Sequence, residues 1–291
     1  MASTESNTYS HGHSAATVAG HAARTAEFCA AHLLPHLSPG ASILDVGCGP
    51  GSITSTLVPY VSPGGRVVGV DSSDAVIATA QEQFGSTTSS SSGGAGAGAD
   101  AGAAALEFLV GDIFKLPFED ETFDFVHAHQ VIVHLPLDKV AAALREMRRV
   151  CKAGGLVTFR DARAEKGGTQ AYPNDPLLAR TMDLFCQRMY LKSGVTPDSV
   201  GRFLKIARDD VGFKETRRKF SVDAWETKEM REMWGNQWMS RTEEDGFKSF
   251  VRENGLASEQ ELAEIPKAWA RWRDTEDGWC TLLQLEHLCW K

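Results

Sequence analysis

Tryptophan is missing from the first 224 residues; all seven lie between Trp225 and Trp290. Histidine is nearly missing from the remainder, with eight of nine between His11 and His134 and only His287 beyond. The two parts of the chain are chemically unlike. No Cys-x-x-Cys pair occurs among Cys29, Cys48, Cys151, Cys186, Cys280 and Cys289. Their gaps suit neither a zinc cluster nor a secreted disulfide framework. No apolar run approaches the ~18 residues that span a bilayer. Met1–Ser10 lacks the basic-then-apolar order of a secretory leader. The expectation is a soluble, cytoplasmic protein in a reducing compartment, with no membrane partner. Positive charge is in deficit: 30 Lys plus Arg against 38 Asp plus Glu, a net charge of −8. That argues against nucleic-acid binding. Large side chains are missing from Gly85 to Ala105, which holds only Gly, Ser, Thr, Ala and one Asp. Residues 85–105 therefore read as a flexible surface insertion.

What is present is globular. The chain has 291 residues, 42% apolar and 23% charged, enough for one large α/β domain or a core with a cap. Val18, Ala22, Ala26, Cys29 and Leu33 step by three or four, predicting a helix from about Ser14 to Leu34. Short apolar runs follow at Ser42–Val46, Arg66–Asp71, Leu106–Asp112, Phe123–Ala128 and Leu156–Phe159. Helical patterns lie between most of them, the clearest on Val140, Leu144, Met147 and Cys151, with Gly154 as its stop. Strands alternating with helices predict a parallel sheet covered on both faces. Later segments predict helices at Pro176–Met189 and Pro197–Ile206, a strand from Gly212 through Val222, a mostly helical stretch Asp223–Ala270 and a last strand Gly278–Trp290.

The segment that carries chemistry is Ile43-Leu44-Asp45-Val46-Gly47-Cys48-Gly49-Pro50-Gly51, followed by Asp71 at the end of the next strand. Glycines let a backbone turn sharply and let a ligand approach without interference from Cβ. A carboxylate at the tip of the second strand can accept from both hydroxyls of a ribose. The spacing is Asp-x-Gly-x-Gly-x-Gly and not Gly-x-Gly-x-x-Gly, because Ser52 stands where a dinucleotide fingerprint needs its third glycine.

This pattern resembles the first motif of the class I S-adenosylmethionine-dependent methyltransferases. Three further matches support it: Asp71 after Val-Val-Gly-Val, Gly111-Asp112-Ile113 after the third strand, and Glu119–Val126 leading to His129-Gln130, with Arg145–Gly155 like that family's helix before strand five. The resemblance covers roughly residues 40–162 in order. It implies an α/β, Rossmann-like, doubly wound, mostly parallel seven-stranded sheet with helical cap insertions and an N-terminal lid helix. One domain would span 1–291, with the lid at 1–38 and caps at 163–206 and 223–270.

The resemblance also implies roles. Gly47 and Gly49 would line the methionine part of S-adenosylmethionine, and Asp45 would hold the loop and the amino group. Asp71 would grip the ribose, bordered by Ser72. Asp112 would accept from the adenine amine while Ile113 packs on the ring. His129 would approach the methionine end through its backbone, and Gln130 would face cofactor or substrate. Tyr9-Ser10-His11-Gly12-His13 resembles the start of fungal small-molecule methyltransferases of the UbiE-like branch, closest to the gliotoxin-type thiol S-methyltransferases, with Ser10 in place of the usual Thr. By that analogy Tyr9 reaches the cofactor carboxylate, and His11 or His13 borders the substrate. The other reading of His11 and His13 is a solvated start before a helix. No acidic or cysteine partner lies nearby in sequence for a metal, and none is expected.

For catalysis, His134 after strand four is the candidate general base; its alternative is a histidine hydrogen-bonded at a helix start. Arg160 either binds substrate or pairs with Asp161. Tyr172 and Trp234 are candidate substrate contacts, the alternative being plain core. The expected activity is methyl transfer to a small molecule, thiol-bearing or aromatic, with S-methylation favoured and O- or C-methylation of a quinone- or phenol-type molecule as the alternative. A non-catalytic cofactor-binding partner subunit is the reading from another class. A monomer or homodimer is expected.

Overall fold

A computed structural model describes residues 24–85, 104–163, 167–194, 196 and 199–291. Tyr9, His11, His13, the start of the lid and all but the ends of the 85–105 insertion lie outside the described residues.

The elements in chain order are α1 (Ala26–Cys29), β1 (Ser42–Val46), α2 (Ser52–Val61), β2 (Arg66–Asp71), α3 (Asp74–Phe84), β3 (Ala105–Val110), β4 (Phe123–His129), α4 (Leu137–Val150), β5 (Cys151–Arg163), β6 (Thr169–Tyr172), α5 (Pro176–Ser193), α6 (Ser199–Asp209), β7 (Glu215–Trp225), α7 (Lys228–Glu243), α8 (Asp245–Glu253), α9 (Glu259–Asp274) and β8 (Trp279–Trp290). Strands β3, β2, β1, β4 and β5 lie side by side and parallel. β8 runs antiparallel between β5 and β7. Short β6 pairs with β8 at Thr169–Tyr172, on the edge that β5 occupies further along. The sheet is thus seven positions wide, and β8 is its one reversed strand among the described residues.

The central strands are apolar runs because helices cover both faces. On one face Leu144 and Met147 of α4 and Phe203 of α6 pack on Phe159 and Leu285. On the other, Ala26, Leu33, Leu57 and Ile77 pack on Ile43, Val67 and Phe108. A third apolar cluster joins α5, α7, α8 and α9 around Phe185, Trp234, Trp238, Phe247, Trp269 and Trp272.

Four local expectations change. The helix expected to run to Leu34 ends at Cys29, and a tight turn at Leu34–His36 follows. Pro35 has no N–H to continue a helix, and the turn sends His32 inward to Thr158 at 2.8 Å. The helix expected through Cys151 to a stop at Gly154 ends at Val150; Cys151 opens β5, and Gly154 lies inside that strand at φ 76°. The 163–206 segment divides, since α6 lies on the sheet with its Phe203 ring 6.3 Å from that of Phe159. The 223–270 segment begins as strand, because β7 continues to Trp225, and its last helix extends to Asp274.

Candidate active site

The site lies beyond the carboxyl ends of the parallel strands. After β1, Gly47, Gly49 and Gly51 take φ of 71°, 55° and 85°, values that a side chain tolerates poorly. The turn is pinned from β2: the Gly47 and Cys48 N–H groups both donate to the Val70 carbonyl, at 2.7 and 3.0 Å. Two of these glycines differ in what surrounds them. A Cβ on Gly47 would stand 2.4 Å from Val131 Cγ2, whereas one on Gly49 would meet no protein atom within 4 Å. The backbone at Gly49 is therefore bare toward the space above the strands.

Asp71 closes the turn. One carboxylate oxygen accepts from Gly49 N–H at 3.1 Å and the other from Ser73 N–H at 3.0 Å. Ser72 beside it is exposed. Asp45 is 2% exposed and accepts from the Thr54 hydroxyl at 2.6 Å. Burial is the main reason that its pKa is raised to about 7; Thr54 opposes this and the charge of Asp71 adds to it. A cation placed beside Asp45 would supply the counter-charge that the protein withholds.

Asp112 is exposed, with Oδ1 accepting from Phe114 N–H at 2.9 Å. Ile113 is half-buried against the sheet core. His129 ends β4, is buried, and has no hydrogen-bond partner at Nδ1. Burial, then the charges of Arg24 and Arg160, hold it well below the usual histidine range.

Gln130 is half-buried and tied to the sheet. Its amide donates to Gln284 at 2.9 Å and accepts from Ala162 N–H at 3.2 Å. Arg160 is likewise engaged, and not by Asp161, which lies on the opposite face of β5. Its guanidinium contacts Asp223 of β7 in a close pair, Ser221 at 3.2 Å and Glu286 of β8 at 3.4 Å. Two carboxylates and a hydroxyl take up its donors, so it ties three strands together where a substrate contact was expected. Asp161 accepts from Val133 N–H at 3.0 Å and fixes the turn that presents His134. Tyr172, at the end of β6, is 54% exposed. Trp234 is buried and stacks on Trp225 at 3.8 Å.

His134 sits in the Ile132–His134 turn after β4. Burial, then the charges of Arg241 and Arg24, lower its pKa to about 4. It is neutral at pH 7 and a weak base. Sequence reading missed Thr54, Val131, Arg241 and the Asp223–Glu286 pair. Thr54 lies two residues into α2, where its position was readable; the others come from segments with no fixed spacing to the motif.

The glycine turn, the bare backbone at Gly49 and the acids at the ends of β1 and β2 fit an aminoacyl nucleoside. Residues 44–159 match the family described as a methyltransferase domain. Over 301 aligned residues, covering 100% of both chains, the protein is 32% identical to the probable methyltransferase ltbC of Aspergillus luteorubrus. The chain belongs to the class I S-adenosylmethionine-dependent methyltransferases. It is also 31% identical to the uncharacterized methyltransferase C1B3.06c of Schizosaccharomyces pombe, over 89% of this chain and 87% of that one. The YcgJ protein of Bacillus subtilis shares the fold, with a TM-score of 0.55 at 16% identity over 90% of this chain and 97% of that one. S-adenosylmethionine is the methyltransferase's cofactor and enzymatic methyl transfer its activity. Among the described residues no helix is long and apolar enough to cross a membrane.

Proposed function

We propose that this methyltransferase acts on a small molecule held between the carboxyl ends of β4 and β5 and the helical cap, with a thiol as the favoured acceptor. The observation that carries the reading is the position of α7, whose Arg241 is close enough to His134 for its charge to depress that imidazole. A cap helix with one buried face near the turn after β4 suits a compact acceptor.

When bound, S-adenosylmethionine supplies an activated methyl group on a sulfonium. Gly47 and Gly49 would admit its methionine part, and Asp45 would face its ammonium. Asp71, flanked by Ser72, would hold the ribose, while Asp112 and Ile113 would border the adenine. The His129 backbone would lie near the methionine end, with Tyr9 at its carboxylate and His11 or His13 beside the acceptor. The chain's task is then alignment and exclusion of water. A histidine held near 4 removes protons poorly, and a thiol ionises more readily than an alcohol. That favours sulfur as the acceptor atom, in line with the gliotoxin-type character of Tyr9–His13 and a place in secondary metabolism or detoxification. Methylation of a phenol- or quinol-type ring is the second reading, favoured by the indole-rich cap.

Calorimetry with S-adenosylmethionine, then turnover against a dithiol panel, a quinol-type phenol and bulk RNA, tests the proposal. Transfer to a dithiol is the expected result. Methylation of RNA alone overturns the small-molecule reading, and methylation of the phenol alone overturns the choice of sulfur.

A further inference from the structure

Residues 234, 237, 238 and 241 follow i, i+3, i+4, i+7 spacing along α7 and so form one stripe. Trp234, Gln237 and Trp238 are 7%, 3% and 4% exposed. Gln237 Nε2 and Trp238 Nε1 have no hydrogen-bond partner, and Trp234 Nε1 meets only the weakly accepting Cys280 thiol. The indoles of Trp269 and Trp272 are not built this way. Trp269 Nε1 donates to Thr181 Oγ1 at 3.1 Å, and Trp272 Nε1 donates to the Trp279 carbonyl at 3.0 Å. Buried donors almost always find acceptors, because leaving them unpaired is strongly unfavourable. Three under-satisfied donors on one stripe of one helix call for acceptors from beyond the described residues.

The stripe has a direction. Arg241 extends it toward His134 after β4. At its other end Trp234 stacks on Trp225, which Phe28 of α1 meets edge-on at 6.4 Å. Trp234 also borders the Cys280 thiol, a weak acceptor. The Trp234 and Trp238 rings cross at 85° with centroids 5.6 Å apart, so flat apolar surface lies beside the donors.

We propose that Trp234, Gln237 and Trp238 form the specificity wall of the methyl-acceptor site and that they select an aromatic molecule bearing carbonyl-type oxygens. The inference rests on the small-molecule reading above and names its substrate class. Such a molecule lays its ring against the indoles and accepts from the N–H groups. A hydrocarbon of the same shape leaves them unpaired and is rejected.

The test uses protein labelled with ¹⁵N at its indoles and saturated with S-adenosylhomocysteine. The probes are 4-hydroxyacetophenone and 4-isopropylphenol, alike in shape and differing in the carbonyl. The ketone should move the Trp234 and Trp238 indole signals, assigned through Trp234→Phe and Trp238→Phe, and bind about tenfold tighter than the isopropyl compound. Gln237→Met should remove most of that preference while leaving S-adenosylhomocysteine affinity unchanged. Equal binding of the two phenols, indole signals that ignore the ketone, or a preference that survives in Gln237→Met each overturn the proposal. Failure of S-adenosylhomocysteine to bind would instead strike the cofactor assignment, and the indole signals would still report on the wall.

Discussion

Around Gly47, Gly49 and Asp71 the protein is built on its backbone. The glycines clear space, and one carboxylate braces two N–H groups across the turn. In the cap it is built on side chains: Trp234, Trp238, Trp269 and Trp272 form a chain of stacked and edge-on rings with successive centroid distances of 5.6, 5.7 and 5.6 Å. A backbone site depends on φ values and fails when a methyl group is added. A ring-built site depends on volume and fails when atoms are removed. The two regions should therefore break under opposite substitutions.

The largest effect is expected in the cap. Trp269→Ala removes a fully buried indole together with its bond to Thr181, and it should cost about 3–5 kcal/mol in denaturant unfolding. Cofactor affinity per folded molecule should stay within twofold; a parallel collapse of that affinity would show that the regions are not separate. Next, Asp71→Ala takes the acceptor from two backbone donors and from the ribose it is proposed to hold. Calorimetric affinity for S-adenosylmethionine should fall about 100-fold, consistent with about 1.5–3 kcal/mol for each charge-assisted bond, while near-UV dichroism of the indoles is preserved. Gly47→Ala adds one methyl at φ 71° and 2.4 Å from Val131. Left-handed strain and overpacking together should remove roughly 2–3 kcal/mol of stability, and Gly49→Ala, with room around it, should cost less in stability than in binding.

Acid should expose the same division, since residues 223–270 contain no histidine. Burial lowers His127 and His287 to about 3 and His134 to about 4, and pushes His32 and His129 well down. Unfolded histidines bind protons near 6.5 that these do not, so their stabilisation is lost as pH falls from about 6.5 toward 3–4. Asp45 and Asp161, raised to about 7 by burial, act oppositely: their contribution is present below about 3.9 and fades as pH rises to 7. Five histidines outweigh two carboxyls, so Tm should drop between pH 7 and pH 5. A flat profile would break the histidine account. The smallest effect is expected at His134, which is too weak a base to matter for a thiol; His134→Ala should keep kcat within about threefold across pH.

The cofactor half was legible because its determinants are local. Asp45, Gly47, Gly49 and Asp71 fall within 27 residues, and strand–turn–strand geometry converts that spacing directly into one braced turn. The Arg160–Asp223–Glu286 cluster spans separations of 63 and 126 residues, and no period links them. Arg160 therefore read as a substrate contact, when its partners stand on strands placed beside it only by folding. The cap's aromatic content was visible, but whether an indole N–H finds an acceptor depends on what packs opposite, as Trp269 and Trp238 demonstrate. The α6 segment read as cap because an amphipathic helix carries no label for which surface it covers.

β8 hydrogen-bonds along both edges, to β5 and β6 on one side and β7 on the other. It also leaves the ribosome about 115 residues after β5 ends. At a synthesis rate of about 5–20 residues per second, the bare edge of β5 waits roughly 6–23 s for its partner, and α5 to α9 are made in the interval. The cap helices therefore emerge onto a sheet that is still missing its seam. A nascent chain interrupted before Trp279 carries two open strand edges, so this protein's exposure to chaperones and to aggregation is set by the arrival of the twelve-residue β8.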